Sequence, residues 1–159
     1  MYTITINPLV GIGSIQLGMT EMQVQQELQN APWINNEELF QTFEYDSNNR
    51  LKFIEINNPF DSAGFKLLYK DLDLFNTTAE DIVSTIRIHT SFVNNMEAEL
   101  GYTFFFREIG LSLWRANVMT DAIINSPEFL AEVLPENLED EKRNLYFATI
   151  AVTIPSYYD

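Results

Sequence analysis

Apolar and polar side chains alternate along several short stretches of this chain, which is the pattern of half-buried β-strands. In the first stretch, Ile4 and Ile6 are separated by a threonine. Other runs are rich in β-branched and aromatic residues and end at polar, turn-prone segments, which favours hairpins between consecutive strands. We predict strands over residues 2–6, 39–45, 51–56, 65–75, 102–108, 111–117 and 146–154.

Three segments carry the signals of a helix start. Thr20 with Gln23, and Thr77 with Glu80, have the spacing of a capping box, in which each side chain bonds to the backbone of the other residue. Ser126 is followed by a proline, a residue that suits the first helical position. We therefore predict three helices, beginning directly after Thr20, Thr77 and Ser126.

The predicted elements follow one another in the order β-α-β-β-β-α-β-β-α-β. Short polar turns between consecutive strands argue for antiparallel pairing rather than for a doubly wound parallel sheet. No linker, low-complexity segment or internal repeat divides the chain. We expect a single α+β domain over residues 1–159, with a mainly antiparallel sheet and about three helices packed on one side.

The composition excludes several classes of protein. The chain of 159 residues has 23 acidic and 9 basic residues and a net charge of −14, which argues against nucleic-acid and anionic-membrane partners. It has no cysteine and one histidine, which excludes thiolate metal sites and leaves little room for a metallohydrolase or a Ser-His-Asp enzyme. Neither a secretory signal nor a long apolar run is visible, so we expect a cytoplasmic protein without a cofactor.

The negative charge is concentrated in two blocks. Residues 1–49 contain six acids and no base, and residues 116–141 contain seven acids and no base. One interpretation is a solvated face that keeps the protein soluble. The other is an electrostatic surface for a basic partner, because complementary charge raises the rate of association.

Two short motifs are candidates for chemistry or binding. Asp71 and Asp73 are spaced to share one face of a strand and could ligate a divalent cation, although such a site needs further oxygen ligands. Trp114 and Arg115 are residue types favoured at binding hot spots. The alternative for both motifs is purely structural: solvated acids on one strand, and a second strand covered on both faces.

Several stretches together resemble small acidic bacterial proteins encoded beside toxins. They are Gly13 to Val24, which contains Leu-Gly-Met-Thr, the pair 102–106 and 110–115, and the late strand 146–150. The proteins they resemble are immunity proteins of polymorphic-toxin and contact-dependent inhibition systems. The resemblance implies that the chain binds one cognate toxin domain in the cytoplasm and blocks it, without enzymatic activity.

Our hypothesis is therefore a non-enzymatic acidic protein that neutralises a basic toxin, as monomer or homodimer. A nuclease is one candidate target, because it must present Lys and Arg to phosphate. A self-associating structural protein and, less favoured, a divalent-metal-dependent enzyme using the two aspartates stay open as alternatives. The residues expected to bind the partner are Trp33, Glu37, Glu38, Asp71, Asp73, Trp114, Arg115, Glu136, Glu139, Asp140 and Glu141.

Overall fold

The computed structural model describes residues 2–31, 39–60 and 64–158 and divides the strands between two five-stranded sheets. In the first sheet the strand order is β3-β2-β1-β6-β7, and every pair is antiparallel except β1 with β6, which is parallel. The strands of this sheet are β1 (Tyr2–Asn7), β2 (Gly11–Ile12), β3 (Ile15–Gln16), β6 (Phe65–Tyr69) and β7 (Leu72–Asp73).

The second sheet is antiparallel throughout, in the order β4-β5-β10-β9-β8. Its central strand, β10, is the last strand along the chain, whereas its outer strands belong to two local hairpins. The strands are β4 (Phe40–Tyr45), β5 (Leu51–Asn57), β8 (Thr103–Phe106), β9 (Leu111–Trp114) and β10 (Thr149–Thr153).

Six α-helices occur in the described part of the chain, and most of them are short. None of the helices within these ranges is long and apolar enough to cross a bilayer. The helices are α1 (Glu21–Asn30), α2 (Ala79–Ile86), α3 (Met96–Glu99), α4 (Asp121–Ile124), α5 (Pro127–Glu132) and α6 (Leu138–Arg143).

The predicted helix starts are confirmed at two positions and displaced by one residue at the third. The backbone N–H of Thr20 donates to Gln23 Oε1 (2.9 Å), and the N–H of Gln23 donates to Thr20 Oγ1 (3.3 Å), so the capping box before α1 is complete. Ser126 caps α5 as predicted. Before α2 the cap is Thr78 rather than Thr77, because adjacent threonines followed by adjacent acids satisfy the same spacing pattern.

Both sheets and the two longest helices bury side chains in one apolar cluster. Each fully buried aliphatic side chain in such a cluster stabilises the fold by about 1.5–3 kcal/mol relative to exposure. From the sheets come Ile4, Ile6, Leu67, Ile54, Ile56, Leu113, Ile150 and Val152, and from the helices Val24, Ile82 and Ile86.

The expected α+β class with mainly antiparallel pairing is confirmed, but three details differ. The strands form two sheets where one was expected, because β1 pairs with the distant β6. The predicted strand 65–75 is a hairpin, broken at Lys70 with a φ of 53°. The segment after Pro135, where none of the three predicted helices lies, contains α6.

Candidate functional site

The predicted partner-binding residues belong to separate elements of the described structure. Trp33, Glu37 and Glu38 lie outside the described residues. The others fall in three places: the β6–β7 hairpin, the end of β9, and the helical segment between β9 and β10. Each place has a different chemical character.

The two aspartates of the β6–β7 hairpin do not share a strand face. Asp71 is exposed in the turn, whereas Asp73 lies in β7 and its carboxylate is engaged locally. Asp73 Oδ1 accepts from the backbone N–H of Phe75 (3.1 Å) and of Leu67 (3.4 Å), and Oδ2 accepts from the side-chain amide of Asn76 (2.7 Å). The expectation that the two carboxylates share a strand face is wrong, because Asp71 lies in the turn after β6, whereas the Asp73 carboxylate accepts hydrogen bonds from Phe75 and Asn76 in the turn after β7.

Trp114 and Arg115 lie on opposite faces of the second sheet, as the alternation of β9 predicts. Leu111 and Leu113 enter the core, whereas Ser112 and Trp114 face outward. Trp114 is 41% exposed, which makes it available to a partner. Arg115 is only 4% exposed.

Arg115 is a structural residue rather than a binding residue. Its Nε donates to the carbonyl of Gly101 (2.9 Å), and its Nη1 donates to the carbonyls of Met119 (3.0 Å) and Asn144 (3.0 Å). Burial lowers the pKa of Arg115, and the nearby charge of Glu80 acts in the opposite direction. The expectation that Arg115 binds a partner is wrong, because its guanidinium is used to join three backbone segments.

The segment between β9 and β10 carries the second acidic block on the surface. Glu136, Glu139 and Asp140 are exposed, and Glu141 is half-buried. Glu139, Asp140 and Glu141 occupy the first turn of α6, where the helix dipole favours negative charge. The structure therefore presents these four acids together on one short stretch of backbone.

Two bases at the end of α6 pair with two of these acids. Lys142 Nζ lies 3.0 Å from Glu139 Oε1, and Arg143 Nη1 lies 4.0 Å from Asp140 Oδ1. All four side chains are largely in contact with solvent, so each pair contributes at most about 1 kcal/mol. A partner with a stronger positive potential can replace such pairs at low cost.

The same segment leaves large apolar side chains uncovered. Ile123 is 46% exposed, Leu130 is 52% exposed and Leu134 is 55% exposed. Ile124 is buried, and Phe129 and Leu138 are half-buried, so these residues attach the segment to the rest of the protein. Where exposed aliphatic side chains form a contiguous patch with a polar rim, they mark a surface that binds another protein.

A groove of about 850 Å³ crosses the outer face of the second sheet. The strand register places four residues next to one another in a row across the sheet: Glu55 of β5, Ala151 of β10, Ser112 of β9 and Phe105 of β8. Ala151 and Ser112 are small and lie in the middle of this row, so they form a depression between larger neighbours. The next row contributes Trp114.

Aromatic side chains form the walls of this groove. Phe53, Phe60, Trp114 and Tyr158 line it, together with polar residues of β5 and β10. Tyr158 packs against Phe105, with ring centroids 4.4 Å apart, and its hydroxyl donates to Ser112 Oγ (3.4 Å). The segment after β10 therefore closes one end of the groove.

Among the described residues that line the groove, Glu55 alone carries a charge. Its Oε2 accepts from Thr149 Oγ1 (3.2 Å), and no other side-chain hydrogen bond to Glu55 is found in the described ranges. Arg143 lies near the rim, with its guanidinium 5.7 Å from the ring centroid of Phe60. The groove thus combines one carboxylate with several aromatic rings.

Sequence reasoning did not find this groove, although part of its signal was present. The alternation of β10 places Thr149, Ala151 and Thr153 on one face, and a row of small residues in a central strand favours a depression. The sequence does not indicate which strands pair with β10 on either side. The lining comes from four strands, from the segment after β5 and from the segment after β10.

No group of three or more His, Asp or Glu side chains suited to a metal ion occurs among the described residues. Comparison with known proteins finds no matching family model, no similar curated protein and no similar solved structure.

Proposed function

We propose that this chain is a non-enzymatic binding protein of the immunity type, which neutralises a basic toxin domain by occupying its cationic surface. The observation that carries the proposal is the segment between β9 and β10. It exposes Glu136, Glu139 and Asp140 beside uncovered aliphatic side chains. The resemblance to immunity proteins and the net charge of −14 support the same conclusion.

The electrostatic part of this proposal follows from the distribution of charge. A toxin that acts on nucleic acid must present Lys and Arg to phosphate, and an acidic surface can occupy the same site. Complementary charge mainly accelerates association, whereas desolvated apolar contacts mainly slow dissociation. The exposed acids and the exposed Ile123, Leu130 and Leu134 supply these two contributions on one segment.

The test is binding to the toxin domain encoded by the adjacent gene, measured by surface plasmon resonance at low and high salt. Replacing Glu136→Lys together with Asp140→Lys should lower the association rate about tenfold at low salt. The matched control is Glu27→Lys together with Glu99→Lys, which has the same net charge but places the reversals outside the segment. We expect a change of less than about twofold for that control.

Two outcomes would contradict the proposal at different levels. If binding is tight, its association rate does not depend on salt, and both double variants change that rate equally, the electrostatic mechanism is refuted. Absence of binding, together with undiminished toxin activity in the presence of the protein, would refute the function itself.

The exposed aliphatic residues also favour a second candidate, self-association. A homo-oligomer would cover Ile123, Leu130 and Leu134, but it would bring acidic segments together, which costs free energy by like-charge repulsion. Sedimentation velocity at low micromolar concentration distinguishes the two. A dimer that strengthens as salt is added would support self-association, and a monomer would support the inhibitor.

A further inference from the structure

We propose that the groove on the outer face of the second sheet binds an arginine side chain of the partner protein. This inference rests on the proposed function and assigns it a second contact, separate from the acidic segment. The groove is formed by Glu55, Trp114 and Tyr158 around the small side chains of Ser112 and Ala151.

The charge of the groove selects a cation. Glu55 supplies a carboxylate at one side of the floor, and the described residues that line the groove supply no base. One oxygen of that carboxylate, Oε2, accepts from Thr149, while the described contacts leave Oε1 without a hydrogen-bond donor. A buried or half-buried carboxylate with an open oxygen is best satisfied by a charged donor.

The aromatic walls select a flat cation. A guanidinium stacks on the faces of Trp and Tyr rings and still donates in its own plane, whereas an ammonium is a compact and strongly hydrated charge. Trp114 is 41% exposed, which leaves part of the indole open to such a contact. The chain already shows this pairing at the rim, where Arg143 lies over Phe60.

The size of the groove fits a side chain that belongs to a protein. A volume of about 850 Å³ exceeds what one guanidinium needs, so there is room for the aliphatic stem and for the neighbouring residues of the partner. Ser112 and Ala151 keep the floor low, so a long side chain can reach Glu55 from above. The occupant that the charge, the rings and the size specify together is therefore an arginine on a protruding segment of a basic protein.

The experiment uses N-acetylarginine amide as the probe and follows the indole N–H resonance of Trp114 by NMR. The chain has two tryptophans, and Trp114→Phe identifies the resonance by its disappearance. We expect a saturable shift with half-saturation in roughly the millimolar range, since the probe carries a single side chain. N-acetylcitrulline amide, which has nearly the same shape without the charge, should give no saturable shift.

Two variants then locate the cation. Glu55→Gln keeps the shape of the side chain and should weaken arginine binding about tenfold. Glu132→Gln removes the same charge on α5, away from the groove lining, and should leave binding unchanged. Equal shifts with the citrulline probe, or equal effects of the two variants, would overturn the proposal.

The failure of this inference can be told apart from the failure of the proposed function. If the toxin domain binds and responds to reversals in the acidic segment but not to Glu55→Gln, the groove proposal alone is refuted. If the arginine probe binds while no toxin domain does, the cation site stands and the neutralising role fails. If the indole resonance shifts with protein concentration and not with the arginine probe, the groove binds a second copy of this chain, and the arginine proposal is refuted.

Discussion

The hydroxyl of Tyr157 donates a hydrogen bond to the carboxylate of Glu44, although 113 residues separate the two. The ring of Tyr157 also stacks on Phe53, with centroids 4.8 Å apart. Because Glu44 belongs to the outer strand β4, this contact fastens the segment after β10 to the far edge of the second sheet. The same segment places Tyr158 at the end of the groove, so the contact bears on both stability and binding.

Tyr157→Phe should destabilise the protein by about 1–2 kcal/mol, because it keeps the ring stacking and leaves a partly buried carboxylate without its donor. The measurement is urea denaturation followed by circular dichroism. Tyr2→Phe is the control: the hydroxyl is removed from an exposed tyrosine, and the effect should stay within about 0.5 kcal/mol. Equal effects of the two changes would show that the bond to Glu44 adds no net stability.

Stability should fall at alkaline pH because of the same residue. Burial, first, and the hydrogen bond to Glu44 raise the pKa of Tyr157. The folded protein therefore keeps a proton that the unfolded chain, with a tyrosine pKa of about 10, loses. The stabilisation that comes from the raised pKa of Tyr157 is fully present below about pH 10 and is lost as the pH rises through the pKa of the folded protein.

Urea titrations between about pH 8 and about pH 11 should show this loss as a declining free energy of unfolding. Tyr45, whose pKa is raised by burial and by Glu21, adds to the decline. The slope should be shallower in Tyr157→Phe than in the unmodified chain. Identical slopes would contradict the assignment to Tyr157.

Arg115→Lys should cost about 3 kcal/mol, although it keeps the charge. A lysine cannot donate at once to the carbonyls of Gly101, Met119 and Asn144, so buried acceptors lose their partners. The matched control is Arg87→Lys at an exposed position, which should stay within about 0.5 kcal/mol. Thermal denaturation of both variants checks this. If Arg115→Lys is as stable as the unmodified protein, the structural role of the guanidinium is refuted.

Gly110→Ala should destabilise the β8–β9 turn more than Gly18→Ala destabilises the turn before α1. Both glycines have a positive φ, 59° and 91°, so both substitutions carry backbone strain of about 1 kcal/mol. At Gly110 an added Cβ also collides with the carbonyl oxygen of Thr153, whereas at Gly18 it meets open space. A difference of about 2 kcal/mol or more in urea denaturation is expected, and equal losses would rule out the collision.

Local signals in the sequence predicted local structure well. The turn after β4 illustrates this: Asp46 Oδ1 accepts from the backbone N–H of Asn48 (2.8 Å) and of Arg50 (3.0 Å), as a polar turn requires. The caps at Thr20 and Ser126 are of the same kind, since each bond spans three residues. Such interactions are decided by residues that are neighbours in the chain.

Pairings between distant segments were not readable in the same way. The parallel pairing of β1 with β6 joins Ile4 to Leu67, and no local pattern encodes it. The placement of Arg115 shows the corresponding limit for the site. Strand alternation puts Arg115 and Trp114 on opposite faces, but whether a face is open depends on the elements packed on it. Arginine is favoured both at interfaces and as a buried donor to carbonyls, so the residue type alone could not decide.

The central position of β10 has a consequence for how the chain folds during synthesis. The hairpins β4–β5 and β8–β9 leave the ribosome before β10. Until β10 is synthesised, the edges of β5 and β9 that pair with it are unpaired. Unpaired edges are templates for aggregation, so the nascent chain is vulnerable until residues 149–153 emerge. A chain that stops just before Thr149 would lack β10 and the segment after it, so the two hairpins would lose the strand with which both of them pair.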